Sequence, residues 1–132
     1  MKKLKTLAAM ALSLALTHVS ASAANLTDQD KKFLSGYEKT QTALAADNLD
    51  GAKAAATEIG DTGANLVKSS SLKDARAAFE KLTIQARKLA SGQPGYHVFH
   101  CPMLNKDWVQ TSTAAANPYA GKAMAGCGEL QK

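Results

Sequence analysis

The chain has 132 residues, with 16 basic and 11 acidic side chains, and aromatics make up 5% of it. Once Lys2, Lys3 and Lys5 at the start are set apart, 13 basic residues face 11 acidic ones, a balance too mild and too mixed for nucleic acid or an anionic membrane as partner. The length allows one domain with a modest core, and alanine supplies much of the apolar count.

Residues 1–23 read as a secretory signal: a basic start, an apolar run from Thr6 to Val19, and Ala21-Ser22-Ala23, with cleavage expected after Ala23. The run is too short to span a bilayer, and no cysteine follows it to take a lipid anchor. Residues 24–132 are therefore expected as an exported, soluble, single helical domain with no membrane insertion after signal cleavage.

Thr27 and Asp30 suit the start of a first helix over about 28–46, on which Phe33, Tyr37 and Leu44 share a face. A second helix over about 49–68 is alanine-rich, and Gly60 and Gly63 predict a bend or break in it. The third, about 71–91, has a capping box from Ser71 and Asp74 and a terminating Gly92. Along it Leu72, Ala75, Phe79, Leu82, Ala86 and Leu89 form one apolar stripe. The expectation is an all-α fold: a small three-helix, up-down bundle with an irregular C-terminal loop region, 93–132, packed on it.

That tail holds most of the unusual chemistry. Tyr96 to Phe99 could form a short strand, but no period runs through 101–129, which contains Pro102, Pro118, Gly121, Gly126 and Gly128. His97, His100, Cys101, Met103, Met124 and Cys127 gather thiol, thioether and imidazole, the ligand types of Cu(I) and Ag(I). Zinc has no use for methionine. Calcium and magnesium want carboxylates, and the tail offers only Asp107 and Glu129. The histidine spacing places the two rings on opposite faces of a strand, so at most one is a ligand.

Two cysteines in an exported chain also make one candidate disulfide, Cys101–Cys127. Closing that loop would constrain the unfolded chain by roughly 3.5 kcal/mol. From the residues alone, bridge and thiolate ligands both stay open. Catalysis is not expected: there is no CxxC pair, CxxCH haem site, glycine-rich phosphate loop or carboxylate dyad, and neighbours such as His100 and Cys101 rarely point the same way.

Cys101-Pro102-Met103, Trp108, Asn117-Pro118-Tyr119, Gly121, Met124 and Cys127-Gly128-Glu129 together resemble a domain family of unknown function. Its members occur as exported stand-alone proteins and within periplasmic adaptor (membrane-fusion) subunits of copper/silver efflux systems. The chain departs from that pattern between Met103 and Trp108, where only Leu104–Asp107 intervene. The resemblance implies a periplasmic, non-catalytic accessory protein of heavy-metal handling, with an efflux adaptor or another envelope protein as partner. Cys101, Met103, Met124 and Cys127 would be the signature positions, with Trp108, Asn117 and Tyr119 supporting them. His100 is not carried over from the resemblance; from the residue types alone it is expected as a secondary ligand for Cu(I) or Ag(I).

Overall fold

The computed structural model describes residues 23–132, so the expected leader lies outside the described residues except for Ala23. Four helices come first: α1 (Asp28–Ala45), α2 (Leu49–Ile59), the single turn α3 (Ala64–Val67) and α4 (Leu72–Ala90). Three strands follow: β1 (His97–Cys101), β2 (Lys106–Gln110) and β3 (Glu129–Leu130).

Local chemistry accounts for the helix limits. Thr27 accepts the amide of Asp30 while Asp30 accepts the amide of Thr27, so both halves of a capping box are present at α1. Asn48 caps α2 through the amide of Gly51. Gly60, at φ 78°, ends α2, and a 3-10 turn over Gly60–Gly63 leads into α3. A positive φ is strained for any residue with a Cβ, which is why a glycine marks this break. Ser71 caps α4 by accepting the amide of Asp74, but the return arm of the expected box is replaced by a bond from Ser70 to the Asp74 carboxylate.

Residues 46–48 join α1 to α2 so tightly that the two must run back along each other. α4 closes the other side of α1, with Tyr37 stacked on Phe79 at 4.6 Å between ring centroids. Phe33, Leu34, Leu44, Ala56, Ile59, Leu66, Ala75 and Leu82 complete this part of the core. The stripe expected on the last helix is its buried side, with Ala75, Phe79, Leu82 and Ala86 fully covered.

The all-α expectation is corrected here. What was read as an irregular tail contains a three-stranded antiparallel sheet in the order β2-β1-β3, so the fold is mixed α and β. Residues 102–105 turn β1 directly into β2, which pairs from His97 opposite Gln110 to Cys101 opposite Lys106. The sheet is covered on both sides. Val98, His100, Asp107 and Val109 share the face from which Asp107 reaches Arg87 of α4 and the Val109 amide reaches Tyr37 of α1. Phe99, Cys101, Trp108 and Gln110 share the other face, against the returning segment 111–128. Trp108 and Val109 are therefore both buried although they are neighbours on one strand. That erases the alternation by which a strand is recognised.

Candidate functional site

The two cysteines are bridged. Cys101 at the end of β1 and Cys127 just before β3 are joined with their Cα atoms 5.5 Å apart, so of the two arrangements left open by the residues, the disulfide is the one present. The Cys101 side is fully buried, whereas Cys127 is half-buried. Hydrogen bonds independent of the sulfurs tie the Cys127 segment both to Asn117 and to β1. Asn117 donates from Nδ2 to the Cys127 carbonyl at 2.8 Å, the Asn117 amide donates to Ala125, and Phe99 and His100 pair with Leu130 and Glu129.

The aromatic and amide residues of the signature make a closed packing unit beside the bridge. Trp108 is wholly buried, stacks on Phe99 at 5.5 Å, and donates from Nε1 to Gln110 Oε1 at 2.7 Å. A Cβ on Gly128 would come within 2.4 Å of the indole, so the chain passes over Trp108 only as glycine. Asn117 Oδ1 accepts the amides of Tyr119 and Ala120, which shapes the turn leading to Gly121. Tyr119 lies edge-on to Phe79 and donates its hydroxyl to the Asp107 carbonyl. Burial pushes the Tyr119 phenol well above its ordinary range, and that of Tyr37 further still. Thr83 Oγ1 stands between the two phenols, 2.8 Å from Tyr37 and 3.1 Å from Tyr119.

Gln110 and Gln41 were not singled out from the sequence, yet they organise the loop after β2. Gln110 Oε1 accepts from Trp108 and the Ala116 amide, its Nε2 donates to the carbonyls of Ser112 and Ala114, and Gln41 of α1 donates to the Ala116 carbonyl. Every buried side-chain nitrogen and oxygen among the described residues has a partner. The only early signal for Gln110 is its place two residues after Trp108, on the same face of a strand.

The remaining candidate ligands are spread around this unit. His97 and His100 lie on opposite faces of β1, as their spacing predicts. His97 pairs across the ladder with Gln110, while His100 Nδ1 is 2.6 Å from Asp107. Arg87 holds the second oxygen of that carboxylate at 2.5 Å, so α4, β1 and β2 meet in a chain of three polar groups. Met103, in the turn after β1, is 74% exposed, and Met124 is half-buried at the end of a 3-10 turn over Gly121–Met124. In the bridged state neither sulfur of Cys101 or Cys127 is a thiolate, so only thioether and imidazole donors are left for Cu(I) or Ag(I). Met103, Met124 and the Nε2 of His100 are the soft donors this state retains. Among the described residues no three His, Cys, Asp or Glu side chains are grouped to hold a metal ion.

No helix among the described residues is long and apolar enough to cross a membrane. Comparison with protein-family models, curated proteins and solved structures finds no match to the chain.

Proposed function

We propose that this protein is a non-catalytic module of the cell envelope that acts by docking to another protein, with its C-terminal half locked by the Cys101–Cys127 bridge. The observation that carries the reading is the bridge itself, because it removes both thiols from metal binding and from nucleophilic chemistry. Trp108, Asn117 and Tyr119 are engaged in packing and backbone hydrogen bonds, which suits a scaffold better than a reactive centre. A disulfide fits an oxidising compartment, and the signal-like residues 1–23 fit export. Together with the resemblance to a family that includes efflux adaptor segments, these features favour the periplasm, with an adaptor or another envelope protein as partner.

A second reading, a copper or silver accessory protein, is favoured by one observation. The segments carrying Cys101 and Cys127 are tied by the β1–β3 pairing as well as by sulfur. Reduction would leave two thiols close together, with Met124 one turn before Cys127 and Met103 two residues after Cys101. An anaerobic Cu(I) titration against a chromophoric competitor, first without and then with reductant, separates the readings. The docking module predicts no competition in either state. One-to-one binding only after reduction would make Cys101 and Cys127 ligands and replace the first reading by the second. Tight binding with the bridge intact would assign the ion to Met103, Met124 and His100 and overturn the docking reading.

A further inference from the structure

We infer that Cys127 is the sulfur at which a disulfide donor acts on the folded chain, and that Cys101 is the thiol that resolves the mixed disulfide and closes the bridge. This assigns how the bridge is made and stands whichever partner docks on the finished module. The two sulfurs are unequally open. Cys101 is fully buried at the end of β1, on the sheet face that carries Phe99 and Trp108. Cys127 is half-buried and sits between two glycines. Gly126 is exposed, and a Cβ placed on it would meet nothing within 4 Å, so that flank of Cys127 is open. Gly128, on the other flank, lies on the Trp108 indole. A donor therefore meets Cys127 before Cys101, since thiol–disulfide exchange depends on access to the attacking sulfur.

Contacts that need no sulfur bond put both residues in place. The register of β1 against β3 sets His100 opposite Glu129, so the next position, Cys101, falls opposite Gly128 and beside Cys127. The Cys127 amide donates to the Met124 carbonyl, its own carbonyl accepts from Asn117 Nδ2, and the Gln131 amide donates to the Val98 carbonyl. The chain with two free thiols thus keeps the asymmetry of the bridged one. Exchange then runs in one order. The Cys127 thiolate attacks one sulfur of the donor; a Cys127 Sγ–S bond forms, the donor's S–S bond breaks, and the departing sulfur takes up a proton. The Cys101 thiolate next attacks Cys127 Sγ; the bridge forms, and the second donor sulfur leaves and is protonated in turn. Two thiols of this chain lose two electrons and two protons, and the donor disulfide becomes two thiols. The opposite order fails because a donor has no path to Cys101 on the covered face, whereas closure only has to reach a residue whose Cα is 5.5 Å away.

The test uses Cys101→Ser and Cys127→Ser in the otherwise unaltered protein, each with one thiol left, and circular dichroism to check that both keep their helices. In native buffer the chromogenic disulfide dithiodipyridine should consume the thiol of Cys101→Ser about tenfold or more faster than that of Cys127→Ser, because a buried sulfur reacts only through local opening. In urea the two rates should converge. The reduced, unaltered protein gives a second readout that needs no variant to fold. After brief exposure to oxidised glutathione and an acid quench, peptide mass mapping should find glutathione on Cys127 and none on Cys101. A thioredoxin-like oxidase in its disulfide form, added to Cys101→Ser, separates the two sources of donor. A covalent complex supports a protein donor acting at Cys127, and glutathione adducts without that complex support a small disulfide acting there. Equal native rates, a faster Cys101, or glutathione found first on Cys101 would overturn the inference.

Discussion

Asn117 engages three backbone groups with one side chain. Replacing it by alanine would remove the donor to Cys127 and leave the part-buried amides of Tyr119 and Ala120 without their acceptor. The expected loss is about 2–3 kcal/mol, since orphaned buried groups cost more than a net hydrogen bond contributes. Urea unfolding of Asn117→Ala with the disulfide intact checks this, and a change below about 0.5 kcal/mol would mean that water replaces the side chain. At this scale legibility was uneven. Asn117, Trp108 and Tyr119 stood out through a resemblance and a rare residue type. Gln41 did not, because a glutamine between Tyr37 and Leu44 reads as solvated surface, and the carbonyl it binds lies 75 residues further on.

Among the elements, the 3-10 turn over Gly121–Met124 is fixed to the helices by one carboxylate. Asp47 accepts the Lys122 amide at 3.0 Å and the Arg76 guanidinium at 2.7 Å, and these bonds, the amide first, hold its carboxyl below the ordinary value of 3.8. A depressed acid stabilises the fold above its unfolded pKa, and that contribution disappears as pH falls through the lower folded value. Acidification below about 3.8 should therefore free the turn from α1 and α4 before the helices melt. The Lys122 amide shift, followed by NMR, should titrate below 3.8 in the native protein and lose that acid step in Asp47→Asn. The helix starts were readable because Thr27, Asp30 and Ser71 act within three residues of themselves. β2 was not, because Trp108 and Val109 point to opposite faces and are both buried, and β3 has only two residues on which a period could show.

For the whole molecule, the disulfide joins parts that other contacts also join, so its removal should weaken the tail without dissolving the helices. Reduction, or Cys101→Ser with Cys127→Ser, should lower stability by roughly 2–4 kcal/mol for a loop of this length. The helical circular dichroism of the native state should be retained, and the urea midpoint should fall. An unchanged midpoint would show that the unfolded chain keeps residual structure that holds these segments near each other without the bridge. The same β1–β3 pairing bears on the order of events in synthesis. The central strand completes one edge only with residues 129–130, and the Gln131 amide bonds back to Val98. α1 likewise finds its Gln41 partner only at Ala116. Such distant pairings are slow to form and wait until residues 116 and 129–131 have left the ribosome. A sheet finished only by those residues stays open until they are made, and until then β1 shows an unpaired edge on which another chain can add a strand.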